Sequence, residues 1–221
     1  MTNKTIWIWG DSWAEPIWDN PLPNSNPEKH LEFILKRKGY NVTNYGKSGE
    51  DNLYSINLSN NNKNYPEYIV WYHTECFRSK VKDNKEWFIN EKLEEISTKI
   101  YNEVVNVIKK TNAKLILIEG QSVVYKKTYE RILKDYVYYK IDDWRSFLVG
   151  HKLPECYFIS CYHHLEHNCL DSTNKKIKIL TDVETIRKAT ENHYHFPDQG
   201  HPGDDAQTLL ADKIEKIINK Y

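Results

Sequence analysis

The N-terminal stretch Thr5-Ile6-Trp7-Ile8-Trp9-Gly10-Asp11-Ser12 is an apolar run that ends abruptly at a glycine. Short runs of β-branched and aromatic residues favour a buried strand, and a glycine followed by an aspartate favours a sharp turn. The pattern therefore predicts that the chain begins with a buried β-strand and that Ser12 lies just beyond its carboxyl end.

Short apolar segments alternate with amphipathic segments along the rest of the chain. Further strands are predicted at residues 40–45, 68–72, 114–118 and 155–160. Helices are predicted at residues 26–39, 51–58, 91–110, 125–148 and 182–192 and after Gly203. This alternation is typical of parallel strands with helices on both faces of the sheet. The chain is predicted to be a single domain with an insertion or cap within residues 121–195.

Composition limits the function classes that need to be considered. The chain has 221 residues, and its 31 basic and 31 acidic side chains cancel. A nucleic-acid partner that depends on a global positive field is therefore not expected. No apolar run approaches the roughly 20 residues of a membrane span, and no signal-peptide core is present. Four cysteines do not make a disulfide framework, so the expected compartment is the reducing cytoplasm.

Three segments are predicted to follow strands or precede the last helix, where sites form in open α/β sheets. They are Gly10-Asp11-Ser12, Gly46-Lys47-Ser48-Gly49 and Asp198-Gln199-Gly200-His201-Pro202. A serine hydroxyl needs a base to become a nucleophile, and His201 is the natural base for Ser12. Asp198 is near enough to orient the imidazole. The backbone N–H groups of Ser12 and Gly49 are candidate donors to an oxyanion.

Each of these signals is weak when it is taken alone, because Gly-Asp-Ser is an ordinary turn and Asp-x-x-His is a common spacing. Their order adds weight. Ile6-Trp7-Ile8-Trp9-Gly10-Asp11-Ser12 resembles the opening motif of the SGNH/GDSL hydrolase superfamily. Asn44-Tyr45-Gly46-Lys47-Ser48-Gly49 is similar to its second block, and Asp198 to Pro202 resembles its closing Asp-x-x-His-Pro block.

The resemblance implies a flavodoxin-like three-layer α/β/α fold and serine-dependent ester hydrolysis without a metal or other cofactor. It makes Ser12 the nucleophile and first oxyanion donor, Gly49 the second donor, His201 the base and Asp198 its orienting partner. The resemblance does not cover residues 121–195.

The third block of the superfamily, Gly-x-Asn-Asp, is absent. The corresponding place reads Trp71-Tyr72-His73-Thr74-Glu75-Cys76-Phe77-Arg78, without the Asn whose amide donates to the oxyanion. Thr74 or His73 could donate instead, Arg78 could act as a cationic donor, and Glu75 could donate only if protonated. The departure leaves open a slower enzyme, a different acyl group or a scaffold without turnover.

The predicted function is hydrolysis of carboxylic esters, with O-acetyl or short-acyl esters of carbohydrate as the expected substrates and transfer to a sugar hydroxyl as a variant. Weak candidates for substrate contact are Asp11, Trp13, His73 and Arg78. The alternative from another class is a non-catalytic glycan-binding or structural protein on the same scaffold.

Several other groups leave alternatives open. Residues 156–169 contain Cys156, Cys161, Cys169 and three histidines, but no Cys-x-x-Cys pair, so a polar loop is favoured over a structural zinc site. His193 and His195 are alternative bases to His201. The tyrosines at 136, 138 and 139 are expected in a cap or a dimer face.

Overall fold

The computed structural model describes residues 4–11, 14–15, 27–74, 90–119, 125–142, 169–170, 176–177 and 204–220. The strands are β1 (Thr5–Trp9), β2 (Asn41–Asn44), β3 (Tyr68–His73), β4 (Lys114–Glu119), β5 (Val137–Ile141), β6 (Cys169–Leu170) and β7 (Lys176–Ile177). The α-helices are α1 (Leu31–Arg37), α2 (Asn52–Asn60), α3 (Asn90–Thr111), α4 (Lys126–Thr128) and α5 (Asp204–Lys220). A π-helical turn, Tyr129–Leu133, and two short 3₁₀ helices, Pro27–Lys29 and Lys134–Tyr136, complete the described elements.

The main sheet has five strands in the order β2-β1-β3-β4-β5, and every neighbouring pair is parallel. Ile6 of β1 pairs with Val42 on one side and with Tyr68 on the other. The chain passes from β1 to β2 in one direction and from β3 to β4 in the other. The order therefore reverses between β1 and β3, which is where parallel α/β sheets form their binding crevices.

Helices cover both faces of this sheet, so the predicted three-layer arrangement is confirmed. One face packs on α1 and α5, and its core includes Ile8, Val70 and Ile116. The other face packs on α2, α3 and the π-helical turn, and its core includes Trp9 and Trp71. Because β1, β3 and β4 are covered on both sides, their sequences are apolar almost throughout rather than alternating.

The region after residue 125 differs from the prediction of one long helix. The chain is helical only to Tyr136 and then forms β5, which pairs with β4 at the edge of the sheet. Four of the five residues of Val137–Ile141 are β-branched or aromatic, and the strand runs from exposed Tyr139 to buried Ile141 at its end. Such residues favour an edge strand over a helix once a neighbouring strand is available to pair. The 125–148 helix prediction is therefore wrong for Val137–Ile141, and its residues 143–148 lie outside the described residues.

The stretch predicted to hold an inserted cap, residues 121–195, is described only in part. Residues 125–142 belong to the main sheet and its helical layer. Strands β6 and β7 form a separate antiparallel pair. The strand predicted at 155–160 and the helix predicted at 182–192 lie outside the described residues.

The remaining elements agree with the sequence pattern. Gly39 has a φ of +92° two residues after α1 ends, as expected for a helix terminator. The last helix begins at Asp204, directly after Gly203, and it buries Leu210, Ile214 and Ile217. No helix among the described residues is both long and apolar enough to cross a membrane.

Candidate functional site

The candidate site lies at the edge of the sheet where β1, β2 and β3 end. The chain leaves β1 through Gly10 and Asp11, leaves β2 through residues 45–50, and leaves β3 through Thr74. Ser12 and Trp13 lie outside the described residues, but their flanking residues Asp11 and Ala14 are described. The position between β1 and β3 is the point at which the strand order reverses, so the turn after β1 is at the expected place for a ligand crevice.

Two glycines let the turns after β1 and β2 approach each other closely. A Cβ on Gly10 would lie 2.8 Å from the Cβ of Tyr72 and 2.9 Å from that of Ala14. A Cβ on Gly46 would lie 2.6 Å from the Cβ of Ala14. Side chains cannot occupy these spaces without moving the backbone, so the glycine turns predicted from sequence are required by packing.

Backbone and side-chain hydrogen bonds join the two turns. The Lys47 N–H donates to the Gly10 carbonyl at 3.2 Å, and the Asn44 amide donates to the Ala14 carbonyl at 2.6 Å. The Ser48 N–H donates to the Glu15 carboxylate at 2.8 Å. The β2 turn is therefore fixed against the residues that flank Ser12.

Gly49 differs from its neighbours in this turn. Among the described residues, the N–H groups of residues 46, 47, 48 and 50 each have a hydrogen-bond acceptor, whereas the Gly49 N–H has none. Gly49 has a φ of +77° and is exposed, and the space around its Cα is open. Its N–H group is thus available to a ligand, as the predicted role in an oxyanion hole requires.

The end of β3 is held by Asn52, a residue that sequence reasoning did not identify. Its amide donates to the Thr74 carbonyl at 2.8 Å, and its carbonyl oxygen accepts from the Thr74 N–H and from the Trp71 indole, both at 3.1 Å. Asp51 caps α2 by accepting from the Tyr54 N–H, which places Asn52 in the first turn. No local sequence pattern indicated this role, because Asn52 bonds to residues about 20 positions further along the chain.

The structure places two of the predicted substrate contacts in the interior. Asp11 and His73 each expose only 1% of their surface. The Nε2 atom of His73 lies 3.2 Å from the hydroxyl oxygen of Tyr101, which also accepts from the Tyr125 N–H at 3.1 Å. The contact of Asp11 and His73 with a substrate stays a prediction. The burial of His73 makes it part of a buried network beneath the site.

Thr74 is also buried, and its backbone N–H donates to Asn52. Any donation from Thr74 to an oxyanion would therefore have to come from its hydroxyl group. Trp13, Arg78, Asp198 and His201 lie outside the described residues, as does Ser12, so the predicted convergence of these side chains stays a prediction.

The first turn of α5 lies at the same edge of the sheet, three residues after His201. Its residue Gln207 accepts a hydrogen bond from Tyr72 of β3 at 3.5 Å, and Asp204 forms an ion pair with Lys29 at 3.5 Å. Burial, with a smaller contribution from the negative charge of Asp11, raises the pKa of the Tyr72 phenol well above its usual range. Tyr72 is therefore neutral.

His30 lies between the turn after β1 and the start of α5. Burial lowers the pKa of its imidazole, while the charge of Asp204 and a hydrogen bond to the Glu15 backbone oppose this effect. The net result is a pKa below the usual value, so His30 is a neutral side chain at pH 7. Nothing in the local sequence pattern indicated this position.

Farther along the same edge, Glu119 ends β4 and is nearly buried. Its carboxylate accepts from the Lys140 ammonium at 2.9 Å, and Asp142 lies 2.7 Å from the same nitrogen. Burial lowers the pKa of Lys140, but the charges and hydrogen bonds of Glu119 and Asp142 outweigh it and raise the pKa overall. The Lys140 ammonium is thus paired with two carboxylates and is not a free cation at this end of the edge.

No group of three or more histidine, cysteine, aspartate or glutamate side chains able to hold a metal occurs in the part of the chain that the structure describes. The Cys/His segment 156–169 lies outside it, apart from the backbone of its last residue. His193 and His195 lie outside it as well. Tyr138 packs its ring against Tyr68 in the core, whereas Tyr139 is exposed on β5.

Comparisons with known proteins agree with this architecture. No protein-family model and no curated protein sequence matches the chain. The esterase EstA from a Pseudoalteromonas species is similar in structure, with a TM-score of 0.53, 14% identity, and coverage of 98% of this chain and 97% of the other. The acetyl xylan esterase AlAXEase is similar with a TM-score of 0.51, 18% identity, and coverage of 96% and 98%.

These similarities identify the class of fold that the chain adopts. The chain has a three-layer α/β/α fold with the parallel five-stranded sheet described above, and these two esterases share that fold. The fold predicted from the sequence is thereby confirmed.

Proposed function

We propose that this protein is a serine hydrolase of carboxylic esters, with Ser12 as its nucleophile. The observation that carries the proposal is the Gly49 N–H group, which is exposed and lacks an acceptor among the described residues. It belongs to a turn that is hydrogen-bonded to both sides of the Ser12 position. An unpaired donor held beside a potential nucleophile is what an oxyanion hole needs.

In the proposed reaction, His201 removes the proton from the Ser12 hydroxyl as its oxygen attacks the ester carbonyl. The negative charge that develops on the carbonyl oxygen is stabilised by the N–H groups of Ser12 and Gly49. Asp198 orients the imidazole and stabilises its protonated form. Collapse of the tetrahedral intermediate expels the alcohol, which takes the proton from His201. Water, activated by the same imidazole, then releases the acid from the acyl-enzyme.

The third oxyanion donor is proposed to be the Thr74 hydroxyl, which replaces the missing asparagine amide. Thr74 follows β3 directly, and Asn52 fixes its backbone on both the N–H and the carbonyl side. A hydroxyl is a single donor on a short side chain, so it needs this kind of fixed backbone to be effective. Arg78 is the alternative donor for this position.

The proposed substrates are O-acetyl or other short-acyl esters, with carbohydrate as the alcohol. One protein of similar fold is named an acetyl xylan esterase, which supports this class, although the identity is only 18%. Trp13, next to the nucleophile, is the proposed face for a sugar ring. Thioesters of short acids would use the same residues.

The decisive experiment measures hydrolysis of p-nitrophenyl acetate together with labelling by a fluorophosphonate. The unaltered protein should hydrolyse the ester and be labelled once. Ser12→Ala and His201→Ala should each lose turnover by on the order of a millionfold, while their melting temperatures stay near that of the unaltered protein. Ser59→Ala is the matched control, because Ser59 is a buried serine whose hydroxyl donates to the Ile56 carbonyl within α2.

Absence of both labelling and turnover in the unaltered protein would contradict the hydrolase. Calorimetric binding of an acetylated xylan oligosaccharide without its deacetylation would then support the non-catalytic glycan-binding alternative. The missing asparagine of the third block is the observation that favours that alternative.

A further inference from the structure

Helix α2 carries three buried polar side chains, and two of them, Asn52 and Ser55, lie one turn apart on the same helix face. Both reach away from the helix to the ends of strands. Asn52 holds the end of β3, as described above. Ser55 contacts the two strands that precede the proposed nucleophile and the proposed oxyanion donor.

The Ser55 hydroxyl lies at the centre of three short contacts. Its oxygen accepts from the Gly10 N–H at 3.2 Å, and it is placed to donate to the Tyr45 carbonyl at 2.9 Å or the Gly10 carbonyl at 3.2 Å. A hydroxyl has one proton, so it donates to one carbonyl at a time, and the shorter distance favours Tyr45. The buried Ser55 hydroxyl thus joins the ends of β1 and β2.

This arrangement is unlike that of the neighbouring serine on the same helix. Serines in helices commonly donate to a carbonyl of the preceding turn. Ser59 does so, with its hydroxyl donating to the Ile56 carbonyl at 2.8 Å. Ser55 and Ser59 are both fully buried, but of the two only Ser55 forms hydrogen bonds with residues at the ends of strands. Ser59 therefore contributes to the helix itself, whereas Ser55 links the turn after β1 with the turn after β2.

We infer that Ser55 is a positioning residue for the proposed hydrolysis, one that sets the distance between the Ser12 hydroxyl and the Gly49 N–H. Gly10 precedes Ser12 by two residues, and Tyr45 precedes Gly49 by four. The nucleophile and its oxyanion donor are on different turns, so their separation depends on bonds between the turns. A misplacement of about 1 Å at such a site can cost on the order of a hundredfold in rate.

The inference rests on the proposed function and is tested by comparing Ser55→Ala with Ser59→Ala. We expect kcat for p-nitrophenyl acetate to fall by about 10- to 100-fold in Ser55→Ala, with KM changed by less than about twofold. Ser59→Ala should keep kcat within about twofold, although it removes the same group from an equally buried position of the same helix. Ser55→Cys, which keeps a weaker donor of similar size, should have an intermediate kcat.

A second readout does not depend on turnover. Hydrogen exchange of the Gly10 amide should be faster in Ser55→Ala than in Ser59→Ala, because the Gly10 N–H loses its acceptor. If Ser55→Ala fails to fold, Ser55→Cys takes its place in both measurements.

The outcomes separate the two proposals. A lack of serine-dependent turnover in the unaltered protein would overturn the hydrolase and, with it, the role of Ser55. An active protein in which Ser55→Ala and Ser59→Ala have equal kcat would overturn only the role of Ser55. An equal loss of kcat in both variants would point to general destabilisation of α2 and would also overturn it.

Discussion

The two faces of the sheet are built from different kinds of residues. The face under α1 and α5 is mostly aliphatic, with side chains such as Ile6, Val70 and Leu210. The face under α2 and α3 contains three buried tryptophans and also the buried polar side chains Asn52, Ser55, His73 and Tyr101. Both faces supply apolar burial, but the α2/α3 face also holds the strand ends through side-chain hydrogen bonds. Both sides of the sheet thus contribute apolar burial, whereas the side-chain hydrogen bonds that hold the strand ends are concentrated on the α2/α3 side.

Several polar contacts of the α2/α3 face lie at the carboxyl end of the sheet. The indole N–H of Trp71, near the end of β3, donates to Asn52. The indole N–H groups of Trp7 and Trp9 are buried and have no partner among the described residues. A buried donor without an acceptor costs free energy, so this face does not satisfy its polar groups everywhere. The Trp9 indole lies beside Trp71 at the carboxyl end of the sheet, so Asn52 satisfies one indole there and leaves the other without a partner among the described residues.

The largest difference between the faces is expected from Asn52→Ala. The change leaves the Trp71 indole and both backbone groups of Thr74 without their partner, which should lower the free energy of unfolding by about 3 kcal/mol. Urea denaturation followed by tryptophan fluorescence measures this loss. Gln207→Ala, at a buried polar position of the opposite face, is the control and should lose less. An equal loss in both variants would contradict the division between the faces.

A smaller difference is expected between two buried tyrosines of opposite faces. Tyr101→Phe removes a hydroxyl that bonds both His73 and the Tyr125 N–H, so the free energy of unfolding should fall by about 1.5 kcal/mol. Tyr72→Phe removes a hydroxyl whose bond to Gln207 is 3.5 Å long, so its loss should be below about 0.5 kcal/mol. Urea denaturation of both variants, under one set of conditions, makes the comparison. A greater loss in Tyr72→Phe would reverse our assignment of the polar face.

The smallest expected effect concerns His30, which belongs to the α1/α5 side. Burial lowers the pKa of folded His30, whereas the unfolded chain keeps a value of about 6.5. The unfolded state therefore binds more protons as the pH falls through this value, and His30 makes the folded protein less stable in mild acid. Its surroundings include the acidic groups Asp204 and Glu32 and the Glu15 backbone carbonyl.

His30→Gln should accordingly flatten the pH dependence of stability. The free energy of unfolding, measured in urea at several pH values from 7.5 to about 5, should fall less in the variant than in the unaltered protein. A steeper fall of the free energy of unfolding in His30→Gln would contradict the prediction, because it would mean that the folded protein favours the charged imidazole.

The parts of the fold that sequence could predict are those in which one segment determines its own structure. β1 is apolar and stops at a glycine, and α5 has an apolar stripe with acidic residues in its first turn. β5 was predicted as helix because its strand conformation depends on pairing with β4, which is not visible locally. Tertiary pairing of this kind regularly overrides local preference.

The candidate site likewise has parts that the sequence could predict and parts that it could not. The turns around Gly10, Gly46 and Gly49 were predictable because glycine marks them directly. Asn52 and Ser55 were not, because each acts on strand ends that are distant along the chain, and neither belongs to a motif. The ion pair of Glu119 with Lys140 was not predictable either, because its two residues are distant along the chain and belong to no motif.

Ala14 lies against two glycines at once, since a Cβ added at either Gly10 or Gly46 would meet its methyl group. Gly10, Ala14 and Gly46 therefore pack so closely that none of them can be replaced by a larger residue unless its neighbours move. Related proteins that keep this geometry should therefore carry small residues at all three places together. A relative with a bulky residue at any one of them should show a wider gap between the first two loops and a differently shaped crevice.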